Sequence, residues 1–234
     1  MGIGSLGAGL VLSGCADKTS KGQTDKQSPP KQDDKEPEVT ATEDLMREHG
    51  VLRRALLIYR AAAGKLRSNP SSVPPDVLQK TAKLFRAFGE EYHEKKLEEA
   101  FIFPVVKQAG GAAAIYPDIL IAQHQRGREI TDYILSVSKG AKLDNQVETL
   151  LKAMESLELM YEHHAAREDT IVFPAWKERL TPEQLDEMND KFEDIEHQEF
   201  GKDGYEDAVR QIGEIESELG IADISQFTAP PLSK

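Results

Sequence analysis

A chain of 234 residues is long enough for one domain of ordinary size plus extensions. Its 41 acidic against 29 basic side chains leave a net charge of −12, which repels phosphate backbones and excludes nucleic acid as a partner. Aromatic residues are scarce and Leu, Ala, Glu and Lys dominate the middle of the chain, a composition that favours helix over strand.

The first fourteen residues, MGIGSLGAGLVLSG, are apolar but too few to span a bilayer, and residues 1–15 read as an export signal. The tetrad Leu12-Ser13-Gly14-Cys15 resembles the lipobox of bacterial lipoproteins, with small residues ahead of the cleaved bond, although no basic residue precedes Lys18. That resemblance implies a lipid on Cys15 and an exported chain held at the bacterial envelope by that anchor alone. The other reading is a disordered apolar N-terminus. With Cys15 acylated, no thiol remains, so a metal would be held by nitrogen and oxygen, a donor set suited to iron, manganese or zinc. Residues 16–41 carry Lys, Asp, Gln, Ser, Thr and Pro and read as a disordered tether. Its ~25 residues would reach roughly 25–30 Å.

From Thr42 the pattern is helical. Thr42 is the expected N-cap of a first helix over residues 43–66, whose stripe is Leu45, Leu52, Leu56, Tyr59 and Ala63. A second helix starts near Pro74-Pro75-Asp76, carries Leu78, Phe85, Phe88 and Tyr92, and runs to Gln108 before Gly110-Gly111. A third starts at Pro117 and buries Leu120, Ile121 and Ile134. A fourth spans residues 143–177 with the stripe Leu150, Leu157, Tyr161, Ile171 and Ala175. Thr181-Pro182-Glu183-Gln184 opens a fifth helix, and a sixth covers residues 203–219. The expected fold is all-α: an antiparallel up-down-up-down four-helix bundle over 42–178, two shorter C-terminal helices within 179–222 packed outside it, and an unstructured tail, 223–234.

Two stretches echo each other: YHEKKLEEAFIFPVVK at Tyr92–Lys107 and YEHHAAREDTIVFPAWK at Tyr161–Lys177. Together with Glu48-His49 and Gln123-His124-Gln125, they make residues 43–178 resemble the hemerythrin, or HHE cation-binding, family. The resemblance implies a carboxylate-bridged non-haem di-iron centre inside the bundle.

The residues support metal binding on their own account. His49 and His124 fall on the apolar stripes of the first and third helices, and His164 and Glu168 on that of the fourth; His163 sits further round. In the second helix a regular winding puts Glu94 and Glu98 on the stripe of Phe101 and Val105. A π-bulge at residues 94–97 would instead bring His93 and Glu98 together. Buried carboxylates are costly unless paired, and a shared cation pair offsets that cost. The expected metal residues are therefore His49, His93, Glu98, His124, His164 and Glu168, with Glu94, His163 and His197 as additional candidates.

One departure from oxygen-carrying hemerythrins stands out: those place a second histidine four residues after the position of His124, where this chain has Arg128. Phe88, Phe101, Phe103, Ile171 and Phe173 are the expected pocket lining, with Tyr59, Tyr92 and Tyr161 nearby. The functional expectation is an envelope domain whose di-iron centre, with manganese or zinc as alternatives, binds or senses oxygen, peroxide or nitric oxide. A separate redox or signalling partner would take the output. The other readings are a peroxidase, ferroxidase or nitric-oxide-reducing enzyme, and a metal-handling protein without redox turnover.

Overall fold

A computed structural model of the chain describes residues 39–143 and 146–232. The signal, the Cys15 tetrad and nearly all of the tether lie outside them. The described residues form six long helices, two short 3₁₀ helices at Ala112–Ile115 and Ile224–Phe227, and no strand. The second 3₁₀ helix falls in the tail expected to be unstructured, where Asp223 caps it by accepting from the Ser225 N–H. α1 is Ala41–Ser68; α2 covers residues 75–109; α3 is Tyr116–Val137; α4 covers residues 147–177; α5 is Pro182–Phe200; α6 is Gly204–Leu219.

α1 begins two residues earlier than a Thr42 cap would allow, because the cap is Thr40. Its hydroxyl accepts from the Glu43 N–H at 3.4 Å and the Glu43 carboxylate accepts from the Thr40 N–H at 3.0 Å, a reciprocal capping box. Thr42 has Leu45 three residues on and cannot close such a box. α5 opens on the same device, Thr181 with Gln184, and ends at Gly201 in the left-handed region.

α2 and α4 are not regular. Phe85–Ile102 in α2 and Glu168–Val172 in α4 wind as π-helix, each ending just before a Phe-Pro pair, Phe103-Pro104 and Phe173-Pro174. Proline offers no N–H, and its ring crowds the carbonyl four residues back, so the turn before it opens. The Phe103 N–H bonds to the Glu98 carbonyl and the Phe173 N–H to the Glu168 carbonyl, both five residues back.

This wider winding corrects several expected stripe positions. In α2, Ile102 and Val106 are buried where Phe101 and Val105 were expected. In α4, Val172 and Trp176 replace Ile171 and Ala175. In each helix the inserted residue delays the buried face by one. Ile121 is a separate correction: it is 40% exposed, and its neighbour Leu120 faces the core. α4 itself begins at Val147, four residues later than expected.

Neighbouring helices run α1–α4, α4–α3, α3–α2 and α2–α1, closing a ring around one interior. Arg53 pairs with Asp169, Arg60 with Glu162 and Arg67 with Glu155. Each seven-residue step up α1 is a seven-residue step down α4, so these two helices are antiparallel. Such exposed pairs are worth roughly 0.2–1 kcal/mol each, so they report register more than they hold it.

α5 and α6 lie against the outside of α1 and α2. Phe192 of α5 stacks on Trp176 with ring centroids 5.9 Å apart, and Phe200 meets the Tyr92 ring at 5.3 Å. Arg54 of α1 donates to Glu216 of α6 at 2.8 Å through Nε.

At one point α3 and α4 approach closely. A Cβ added at Gly127 would overlap the Tyr161 hydroxyl, whereas one added at Gly64 in α1 would meet nothing. Gly127→Ala is expected to lower stability by about 1–3 kcal/mol through overpacking. Gly64→Ala should raise it by up to about 1 kcal/mol, the helix-propensity difference. Chemical denaturation of both variants checks the contrast.

Candidate metal centre

Inside the ring of helices, His49 (α1), His93 and Glu98 (α2), His124 (α3), and His164 and Glu168 (α4) are all buried. Their ligating atoms fall into two groups sharing Glu98: His49, His93 and Glu98, and Glu98, His124, His164 and Glu168, with atoms in each group within 4.8 Å of one another.

The two carboxylates each reach both groups. Glu98 Oε1 lies 3.3 Å from His93 Nε2 and 4.0 Å from His49 Nε2, while its Oε2 lies 3.4 Å from His124 Nε2. Glu168 Oε1 is 2.9 Å from His164 Nε2, and its Oε2 is 3.5 Å from His49 Nε2. His93 and Glu98, five residues apart, meet because the π winding stacks positions five apart; His164 and Glu168 are an ordinary four apart.

The outward ring nitrogens are tied in a cycle. His93 Nδ1 pairs with Glu48 of α1 at 2.5 Å, and His124 Nδ1 with Glu99 of α2 at 2.9 Å. His164 Nδ1 pairs with Gln123 of α3 at 2.9 Å, and His49 Nδ1 with Asp169 of α4 at 2.7 Å. Every partner adjoins an inward residue in sequence, yet serves a histidine on the next helix. Each Nδ1–H donates to an oxygen, which fixes the tautomer and leaves the Nε2 lone pair facing inward.

That arrangement tests whether the residues fit a metal. His124 and His164 bring their Nε2 atoms to 3.1 Å, two lone pairs face to face once both Nδ1 atoms are protonated. Both oxygens of Glu98 and both of Glu168 lack a hydrogen-bond partner. Buried carboxylates without donors cost several kcal/mol unless a cation serves them. The donors present fit a pair of cations, each with two imidazoles and a share of both carboxylates.

The ionisation pattern of the side chains agrees. Burial disfavours the charged forms, yet Glu98 and Glu48 hold the His93 pKa well above the usual value. The carboxylates around His124, Glu94 first, lift its pKa to about 10 against burial. Glu98, although buried, is pulled well below the carboxylate range by His93 and His124. The cluster attracts positive charge, by proton or by metal.

Of the additional candidates, Glu94 is buried beside the centre, while His163 and His197 are exposed and outside both groups. The regular turn at His163–Arg167 keeps the first outside: Arg167 donates to His163 at the surface. His197 lies on the outer face of α5, outside the ring. The pocket lining also differs from expectation. A cavity of about 10 Å³ beside the cluster is bordered by Leu52, Leu56, Tyr161 and Ala165 besides the inward residues. Phe103 and Phe173 instead stack on the rings of His124 and His49. Phe88 and Phe101 face α5 through Phe200 and Phe192, and Ile171 is only half-buried.

Four outward partners, Glu48, Glu99, Gln123 and Asp169, were not assigned roles from sequence. Their signal is adjacency to a histidine or acid on a buried stripe, but which helix each serves depends on the packing.

Buried histidines and carboxylates at the centre of a helical ring define a cation-binding helical domain. The family model described as "Hemerythrin HHE cation binding domain" matches residues 40–176, and the chain belongs to that family. It is 42% identical over 229 residues to "Uncharacterized protein Mb2018" of Mycobacterium bovis, covering 97% of this chain and 88% of that protein. The same values hold for "Uncharacterized protein Rv1995" of Mycobacterium tuberculosis. No solved structure is a significant match.

Just outside the centre, Glu90 of α2 is fully buried, accepts from Thr131 at 2.6 Å and pairs with Arg86 at 2.5 Å. Burial raises its pKa from 4.5 to about 7, against the pull of Thr131 and Arg86. A raised carboxylate pKa stabilises the fold fully below the unfolded value and loses that contribution as pH rises through the folded one. Wild-type stability should therefore fall between pH 4.5 and about 7 through this group. Glu90→Gln is expected to flatten that slope and to be the more stable form at pH 8, by up to roughly 3 kcal/mol. Urea unfolding across this pH range measures it.

Proposed function

We propose that the ring of helices is an antiparallel up-down-up-down bundle holding two irons, and that the pair binds or senses a small oxidant, namely oxygen, peroxide or nitric oxide, at the cell envelope. The observation that carries the reading is the donor count. Four inward Nε2 atoms and four partnerless carboxylate oxygens divide evenly between two positions, with Glu98 and Glu168 reaching both. Imidazole with carboxylate suits iron, and helical bundles hold di-iron and di-manganese with such sets.

When bound, an iron pair supplies redox chemistry and a coordination position for a small ligand. The chain's residues do the rest. Glu48, Glu99, Gln123 and Asp169 orient the imidazoles. Leu52, Leu56 and Ala165 keep the cavity apolar on one side, and its volume, about that of one water molecule, selects against large substrates. Phe103 and Phe173 shield two of the histidine rings.

The envelope location is supported by Leu12-Ser13-Gly14-Cys15 and the polar stretch after it. No helix among the described residues is long and apolar enough to cross a membrane.

Metal analysis with an absorption spectrum tests the centre. About two irons per chain, with near-ultraviolet absorption of a coupled ferric pair, are expected for this donor set. His49→Ala and Glu168→Ala should each lower the iron content and abolish those bands. A folded chain that takes up no metal would sink the reading. Sustained peroxide consumption with an electron donor would make it an enzyme instead of a sensor. For the location, Cys15→Ser should shift the protein from the membrane to the soluble fraction; an unchanged distribution would refute the anchor.

A further inference from the structure

The buried carboxylates around the centre differ in one respect. Glu98 and Glu168 have no hydrogen-bond partner on either oxygen. Glu94, only 1% exposed and next to His93, has both oxygens engaged. Its Oε1 accepts from the Tyr161 hydroxyl at 2.6 Å, and its Oε2 from the Arg128 guanidinium at 3.3 Å.

We propose that Glu94 is a carboxylate held off the metals: Tyr161 and Arg128 pin it at the cavity wall, and by doing so keep a coordination position open to a small exogenous ligand. The inference rests on the two-metal reading above and specifies how that centre stays open.

Three features place Glu94 in this role. The first is direction. Its Oε2 lies 3.8 Å from His124 Nδ1, the ring nitrogen turned outward to Glu99, while Glu98 and Glu168 address the Nε2 atoms.

The second is Arg128. Glu94, Glu99 and His124 form a third group whose ligating atoms lie within 4.8 Å of one another. Arg128 already supplies the positive charge there, donating to Glu99 at 2.7 Å as well as to Glu94. A guanidinium stays protonated and cannot ligate a metal, so it competes for the carboxylate without joining the centre.

The third is Gly127. The Tyr161 hydroxyl reaches Glu94 through space that a Cβ at Gly127 would fill. α3 thus provides both the charge and the clearance, on consecutive residues. Glu94 and Tyr161 border the small cavity, and a carboxylate swung inward would occupy it.

Charge indicates which ligand such a position takes. Two ferric ions, with Arg53 and Arg128 beside them, carry more positive charge than Glu48, Glu94, Glu98, Glu99, Glu168 and Asp169 offset, so the oxidised pair keeps net positive charge. A small anion is then favoured over a neutral molecule of the same size.

The test uses the iron-loaded full chain with sodium azide as probe, read by iron content and by the absorption change of the oxidised protein. Wild type is expected to bind azide saturably. Glu94→Gln should retain both irons and azide binding. Tyr161→Phe, which releases Oε1, should keep its iron but lose at least about tenfold in azide affinity as Glu94 turns onto the metal. Arg128→Gln, which releases Oε2, should show the same loss. Adding Glu94→Gln to Tyr161→Phe should restore most of the affinity, a rescue that a merely structural role for Tyr161 would not give. Loss of iron in Glu94→Gln, unchanged azide affinity in both release variants, or an iron-loaded wild type that binds no azide overturns the proposal and leaves the two-metal reading standing. A wild type that takes up no iron overturns both.

Discussion

Two carboxylates without donors are the constraint around which this molecule is arranged. Glu98 and Glu168 are fully buried, and neither accepts a hydrogen bond. In a protein interior that is tolerable only if positive charge lies between them. The four imidazoles around them can provide it as protons, as the upward pull on His93 and His124 shows, or can pass the task to metal. The apolar faces of the long helices surround this polar centre, so the core is organised around charge as much as around hydrophobic contact.

The outward partners turn that centre into a structural tie. Glu48 serves His93, Glu99 serves His124, Gln123 serves His164, and Asp169 serves His49. Each helix lends a residue to the next until the cycle closes from α4 back to α1. A shift of one helix along its axis would break two of these pairs and misdirect two imidazoles. Register and ligand geometry are therefore a single property here. The Arg53–Asp169 pair adds to it, since the carboxylate that orients His49 is itself held by a surface arginine.

The two Phe-Pro pairs have a matching role. Each proline stands just beyond a π turn, and that winding stacks His93 over Glu98. It also moves Ile102, Val106, Val172 and Trp176 onto the buried face. One local cause, a missing N–H with a crowding ring, sets both site geometry and core packing. α5 and α6 then cover the outside of α1 and α2, where Phe192 and Phe200 find aromatic partners.

Much of this was legible in the amino-acid order. Apolar periodicity marked the four bundle helices, and the Thr181–Gln184 cap and the Gly201 break marked the two after them. The repeated His…Glu…Phe-Pro stretches marked a duplicated half-site, because a ligand must sit on a buried stripe to reach a shared interior. The periodicity assumed a regular helix, so it misassigned Phe101, Val105, Ile171 and Ala175, which the π turns rotate off the core. Ile121 and the cap at Thr42 were local errors of the same origin, spacing judged without its neighbours. Other roles had no local signal. That Glu48 serves a histidine on another helix, that Arg128 and Tyr161 meet on Glu94, and that Gly127 clears space for a hydroxyl depend on pairs 34 to 67 residues apart in the chain. Sequence by itself determined where the helices lie and that His49, His124, His164 and Glu168 fall on their buried faces, since both follow from local apolar spacing. Only the tertiary structure decided which of them share a proton, a charge or a metal, because those interactions act across helices and fall off within a few ångströms.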